Sequence, residues 1–359
     1  MPKDDKSKAD ARLEATRKGA VTIHDVARVA GVSSMTVSRV MNAHPHVSAA
    51  TRAKVMATVE AMNFSPNAAA SSLRSALKIG LLYSNPSSSN LGEFLMGAFN
   101  QAGESGCQLM IEPSSAHPDG LSAVNKLLSM GVDGIILPPP LCDLPEVLER
   151  LMQANIPALG FATAEPRPDT PAVMVDDFAG ARLMTAHLIA LGHRDIAFLR
   201  GDPMHSTARR REAGFRAAMR EAGLPVRPEW VAQGYFTYRS GMDAAQHFLA
   251  GPARPTAVFA SNDDMAAGVS AVAHGLGLSI PGDISVAGFD DTSVATTVWP
   301  ELTTIHQPIA EMSSSAVAAI TDLVRRRRSG ESVPVRHEVI AIRLVERAST
   351  SAPGAPSRS

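Results

Sequence analysis

Residues 21–42 read VTIHDVARVAGVSSMTVSRVMN, and this stretch decides the fold of the N-terminal part. Ile23, Val26, Ala27 and Ala30 recur at three- and four-residue steps, which places them on one helical face. Thr22 can cap that helix, and Asp25 stands at N3, near the positive helix end. Gly31 falls where the chain must turn with positive φ, a conformation costly to a residue with a Cβ. Ser33 then caps a second helix, whose Val37 and Val40 face back toward the first. HVSAATRAKVMATVEAM, residues 46–62, opens a third helix at Ser48 and closes a small core through Val55, Val59 and Met62. Two short helices joined at a glycine, with a third in support, match the helix-turn-helix plan. A three-helix bundle with no nucleic-acid role fits the same periodicity.

Charge points the same way. Residues 1–78 carry twelve Lys/Arg against six Asp/Glu, net +6, and the remainder carries 22 against 29, net −7. A basic head on an acidic body suggests a polyanionic partner, although half of those cations lie in the solvated stretch Lys3–Lys18. Residues 1–20 are polar and read as a disordered tail. The head spans 21–66. Residues 67–77 are small and polar, a linker that follows the breaker Pro66. Three alanines in Asn67–Arg74 favour helix, but eight residues are too few to hold one unaided.

The 359-residue chain is too long for one core. From Lys78 the pattern becomes short apolar runs alternating with amphipathic stretches. KIGLLY, CQLMIE, GIILP, PALGF, AVMV, IAFLR, TAVFA and ISVAGF read as strands. Asp177–Leu191, Thr207–Ala222 and Tyr238–Ala250 read as helices between them. Such alternation predicts parallel, doubly wound sheets, so the fold class is α + α/β. The strands exceed one compact sheet, and two lobes with a cleft between them are expected over 78–348. A ligand would sit beyond the carboxyl ends of the strands. Residues 349–359 read as a disordered tail. No apolar run reaches the length of a membrane span, no secretory signal is recognisable, and Cys107 and Cys142 make no disulfide framework. A cytoplasmic, nucleoid-associated protein without a membrane partner is expected.

TIHDVARVAGVSSMTVSRVMN and the HVSAATRAKVMATVEAMNFSPN that follows closely resemble the head signature of the lactose-repressor family of bacterial transcription regulators. LIALGHRDIAFLRGD (188–202), ARRREAGFRAAMREAGL (208–224), PTAVFASNDDMAAGV (255–269), PGDISVAGFDDT (281–292) and LTTIHQP (302–308) resemble its ligand-binding core, itself similar to periplasmic sugar-binding proteins. The resemblance runs through residues 21–348.

It implies a DNA-binding helix-turn-helix head, a hinge helix and a two-lobed periplasmic-binding-protein-like core. Ser34 and Met35 would face base edges of double-stranded operator DNA, and Arg39 a guanine or phosphate. Thr22, Ser33, Thr36, Ser38, Asn42, Thr51 and Asn67 would complete the DNA contacts, largely as phosphate anchors. Ser34 and Met35 depart from the founding repressor, which has larger polar groups there. Met35 suits a thymine methyl, so the operator should differ. The hinge would form at 67–74 when two copies pair on DNA, with Leu73 wedged into the minor groove. Arg211, Phe236, Asn262 and Asp290 would bind a small effector, with Ser84 and Gln307 at the cleft edges. Arg, Asn and Asp together can grip adjacent hydroxyls. Taken alone, Asn262 could be a helix cap and Arg211 a solvated helix residue. Ala162 stands where the founding repressor has an aspartate, which argues against its galactoside preference. No basic cluster favours a phosphorylated effector.

The expected effector is therefore a mono- or disaccharide that releases a repressor of a carbohydrate operon from its pseudopalindromic operator. A corepressor-dependent regulator and a sugar receptor are the alternatives. Tetrameric members carry a leucine heptad tail that is missing here, so a homodimer is expected. No phosphate loop, nucleophile elbow or paired-cysteine site is present, so no enzyme activity, cofactor or metal is expected. His44 and His46 read as loop histidines, and Arg325–Arg328 as the solvated end of a helix starting near Pro308.

Overall fold

Valine and alanine spacing in the head produces three helices, α1 (Ile23–Ala30), α2 (Ser34–Met41) and α3 (Ala49–Ala61). Val26, Ala27, Ala30, Val37, Val40, Val55, Val59 and Phe64 form their common core. Ser33 caps α2, its Oγ accepting from the Thr36 amide at 3.1 Å, and Ser48 caps α3 by accepting from the Thr51 amide at 3.2 Å. Gly31 adopts φ 63° at the turn between α1 and α2. Arg52 does what no pattern suggested. Its guanidinium donates to the carbonyls of His44 (2.8 Å) and Val40 (3.4 Å), which fixes the α2–α3 connection.

The computed structural model describes residues 23–41, 44, 47–62, 64, 76–83, 87–113, 120–251 and 253–354. The chain divides into two units after Ala76. Thr22, Asn42, His46, the hinge segment with Asn67 and Leu73, and Ser84 lie outside the described residues.

The second unit alternates strand and helix as the apolar runs predict. Its first part is β1 (Leu77–Tyr83), α4 (Ser88–Ser105), β2 (Cys107–Pro113), α5 (Leu121–Ser129), β3 (Gly134–Leu137), α6 (Pro145–Gln153), β4 (Ala158–Phe161) and β5 (Ala172–Val175). Then come α7 (Asp177–Ala190), β6 (Ile196–Arg200), α8 (Ser206–Glu221), β7 (Val231–Gln233), α9 (Tyr238–Leu249), β8 (Ala257–Ala260), α10 (Asp263–Gly275) and β9 (Ser285–Ala287). It ends with α11 (Ser293–Thr297), β10 (Thr304–His306), α12 (Ile309–Arg328), β11 (His337–Ile340) and β12 (Arg343–Val345).

Two parallel sheets result. Lobe 1 has the order β11-β5-β4-β3-β1-β2 and lobe 2 the order β7-β6-β8-β9, while β10 and β12 pair antiparallel. Ile79, Leu81, Leu82, Ile135, Ile136 and Leu137 are fully buried, as strands covered by helices on both faces require. The chain crosses between lobes three times: after β5, between β10 and α12, and between β11 and β12. On its return, α12 packs on α4 so closely that a Cβ at Gly97 would lie 1.9 Å from the Ala310 carbonyl oxygen. The four arginines ending α12 are a helix terminus. Arg325 reaches the Ser105 carbonyl, Arg326 pairs with Glu331 at 3.0 Å, and Arg328 pairs with Asp133.

Two boundaries differ from the sequence reading. β1 begins at Leu77, which pairs with Cys107, one residue inside the expected linker. The expected tail from 349 is packed as far as Ser351. Ser349 is fully buried, donating to the Val286 carbonyl at 2.5 Å and accepting from the Thr303 amide at 2.8 Å. His193 then holds the Ser351 carbonyl at 2.8 Å. Small polar composition suggested disorder, but the hydroxyls satisfy backbone groups at the lobe 2 edge.

Candidate functional site

Two candidate sites were expected, one on each unit. On the head, Met35 is 63% exposed and Arg39 stands exposed one turn later on the same helix. Val37 and Val40 are buried on the opposite side, so the packing holds α2 while its outer face stays open. Ser34, Thr36 and Ser38 are half-buried beside that face, with Ser33 exposed at its start. Thr51 is half-buried, its hydroxyl 2.8 Å from that of Ser48. The described members of the DNA-contact set thus cluster about the N-terminus and open face of α2 and the start of α3.

In the large unit, a cavity of about 60 Å³ opens between the lobes, beyond the carboxyl ends of their strands. Lobe 1 supplies a mainly apolar wall of Leu82, Phe94, Pro138, Pro139, Phe161 and Ala162, with Tyr83 and Asn90 at its side. Phe94 and Phe161 meet edge to face, centroids 4.8 Å apart. Lobe 2 supplies the polar wall: Asp177, His205, Thr207, Arg211, Asp290 and Gln307, with Phe236 across it. Arg211, Phe236, Asp290 and Gln307 are therefore brought together as expected.

Arg211 organises this wall. It projects from α8 into full burial, where Nε donates to Asp177 Oδ1 at 2.7 Å. One terminal nitrogen donates to the Ser261 carbonyl (2.5 Å) and Asp290 Oδ1 (3.2 Å), the other to Gln307 Oε1 (3.3 Å). The guanidinium carbon lies 3.7 Å from the centre of the Phe289 ring. Burial works against its charge, but the Asp177 and Asp290 carboxylates outweigh that and hold its pKa above the ordinary value. Both carboxylates are nevertheless shifted upward. Burial raises Asp177, and it pushes Asp290 up to about 7, against the pull of Arg211. One guanidinium shared between two buried carboxylates cannot offset the desolvation of both. Burial lowers the His205 pKa, so that imidazole stands neutral on the wall at neutral pH.

Asn262 does not line the cavity. It caps α10 through the Met265 amide at 3.0 Å, the alternative its sequence position left open. Its amide also donates to the Phe236 carbonyl at 3.0 Å, so it acts by fixing the aromatic. Asp263 is wholly internal, accepting from the Thr304 hydroxyl (2.7 Å) and the Thr292 amide (2.8 Å), and burial raises its pKa well above the usual range. Asp264 accepts from Ser87 across the cleft at 2.7 Å. Three further contacts join the lobes: Ala164 amide to Ser206 Oγ (3.1 Å), Ser293 to Ser89 (3.2 Å), and the exposed ion pair of Arg209 with Glu165 (3.0 Å).

Sequence reading missed Asp177, His205 and the Phe94–Phe161 pair. Asp177 looks like a helix-starting acid, and nothing local shows that Arg211 will meet it. It also missed the backbone. Ala162 (φ 53°), Phe236 (φ 58°) and Asp290 (φ 109°) all line the cavity in conformations that L-residues rarely adopt. Such residues gather where a site over-determines the chain, at about 1–3 kcal/mol each. Around Phe236 the space is made by Gly201, where a Cβ would fall 2.1 Å from the ring.

Residues 22–67 match the family model for bacterial regulatory proteins of the lacI family, and residues 185–350 match a periplasmic binding protein-like domain. The transcriptional repressor PurR of Photorhabdus laumondii subsp. laumondii is 36% identical over 336 residues, covering 91% of this chain and 96% of that protein. Among solved structures, the lac repressor dimer bound to operator and the anti-inducer ONPF superposes with a TM-score of 0.77 at 32% identity, covering 93% of this chain and 100% of that one. The complex of the transcriptional regulator CelR with cellobiose superposes with a TM-score of 0.69 at 28% identity, covering 92% and 99%.

Proposed function

The chain belongs to the lacI family of bacterial regulatory proteins, and from that premise we propose that it is a dimeric repressor that a neutral mono- or disaccharide releases from its operator. That it is a DNA-binding transcriptional repressor and not an enzyme follows from the family; the effector and the direction of its action are the proposal. One observation carries the choice of ligand. Arg211, the cation of the cleft, is already balanced by Asp177 and Asp290, which leaves acceptors facing the cavity. Acceptors and apolar rings suit hydroxyls and sugar faces and repel phosphate. The cellobiose complex of a structural relative supports the same class.

A cavity of about 60 Å³ holds only a few waters, so a sugar is accommodated by moving the lobes. Its binding energy then favours a different lobe angle, and the dimer geometry presented to DNA changes with it. The test is operator affinity of the full chain, measured by gel shift against glucose, galactose, cellobiose, lactose, hypoxanthine and guanine. Release by one of the sugars is expected. Tightening by a purine base, with no response to sugars, would replace this reading with corepressor control.

The effector response should also depend on pH. Asp290 ionises at about 7, and its ionised form is the better acceptor of hydroxyls. Effector affinity is therefore expected to rise roughly tenfold between pH 6 and 8. Stability runs the other way. A carboxyl whose pKa is raised on folding stabilises most below its unfolded value, and that contribution is lost as pH rises to about 7. Calorimetry at the two pH values checks the first effect. Affinity that is flat or falls with pH would show that the effector does not use an ionised Asp290.

A further inference from the structure

Asp143 Oδ2 is, among the described residues, the buried side-chain oxygen that has no hydrogen-bond partner. Asp143 closes the short turn Leu141–Asp143 that follows β3, one residue after Pro138 and Pro139 of the cavity wall. Its other oxygen is occupied, accepting from the Thr163 hydroxyl at 3.0 Å and the Cys142 thiol at 3.5 Å. Thr163 is buried and adjoins Ala162, which lines the cleft. Across the cleft stands His205, on the lobe 2 wall. An orphaned buried carboxylate oxygen is rare enough in folded proteins to require an explanation. A turn anchored by its other oxygen beside a ligand cleft suggests one.

We infer that Asp143, which stands just behind the lobe 1 wall and not among the residues that line the cavity, is a specificity-determining residue of the effector cleft: as the lobes move to admit a sugar, its free oxygen opens to a ligand hydroxyl on the lobe 1 side. The inference rests on the effector-cleft reading above and deepens it. The lobe 1 residues that line the cavity, Ala162 among them, carry no carboxylate, and Asp143 supplies one from the neighbouring turn. A carboxylate behind the lobe 1 wall, Asp143, and one on the lobe 2 wall, Asp290, then select a ligand with hydroxyl donors toward both lobes. They select against anionic sugars, because an ionised carboxylate only accepts.

The test uses the full chain and Asp143→Asn. Asparagine keeps an oxygen for Thr163 and removes the free acceptor. Binding of glucose, galactose, cellobiose and lactose is measured by calorimetry, followed by monodeoxy analogues of the tightest sugar. The expected result is a loss of about tenfold for that sugar on Asp143→Asn, in the range of a hydrogen bond to a charged group. One deoxy analogue should lose as much on the unsubstituted protein and nothing more on the variant. The unliganded variant should melt no lower, since it relieves an unsatisfied carboxylate. Equal affinity of both proteins for the sugar, an equal loss for every analogue, or a variant melting several degrees lower would each overturn the inference while leaving the cleft intact. An unsubstituted protein that binds none of the four sugars would overturn the sugar reading and this inference with it.

Discussion

Arg211→Leu is expected to destabilise the large unit by about 3–5 kcal/mol, because it leaves Asp177 and Asp290 buried without their cation. In a unit of this size that corresponds to a fall in melting temperature of roughly 10 °C. Arg211 is 4% exposed, and both carboxylates already sit above their ordinary pKa with the guanidinium in place. Without it they must take up protons or water. The loss should therefore be smaller at pH 5 than at pH 8. Adding Asp177→Asn and Asp290→Asn should recover most of it, since neutral groups of similar shape tolerate burial. Thermal melts of the three proteins at both pH values decide the matter. A single variant melting within about 2 °C of the parent would mean that the ion triad is not the electrostatic centre described.

The second large effect is on the head. Arg39→Ala should weaken operator binding by about 30-fold to 10⁴-fold, since each half-site of a dimer loses a contact worth about 1–3 kcal/mol. Folding should be unaffected, because the packing of α2 depends on Val37 and Val40. The salt dependence of binding then separates two roles. If Arg39 reads a guanine, discrimination at one position of each half-site relaxes; if it anchors a phosphate, binding weakens evenly across sequences and the salt slope falls by about one per contact. A variant that holds a duplex from its own regulatory region as tightly as the parent removes α2 from the DNA-reading role.

Much of the scaffold was legible because it rests on local rules. Gly31, Ser33 and Ser48 announced the head by turn and cap chemistry, and the eight apolar runs all became strands of parallel sheets. The runs missed were β7, β10, β11 and β12, of three or four residues each, and β11 and β12 carry charged residues in exposed positions. The cleft was legible only in part. Arg211, Phe236, Asp290 and Gln307 meet in it, but the resemblance placed them there; periodicity could not. Asn262 was correctly given two readings, and the cap prevailed. Asp177, His205 and Asp143 were invisible for a common reason: each matters through a neighbour at least twenty positions away in sequence, a relation that no short pattern encodes.

The three passages of the chain between the lobes bear on how the protein is made. Lobe 1 lacks α12 and its edge strand until residue 340 has been added, and lobe 2 lacks β12 until 345. During translation neither lobe can reach its final form early, whereas the head has all its core residues within the first 64. The ribosome therefore releases a finished DNA reader well before the sensor that governs it, and the nascent lobes expose their inner faces for most of synthesis. Chaperone demand should fall on the sensor.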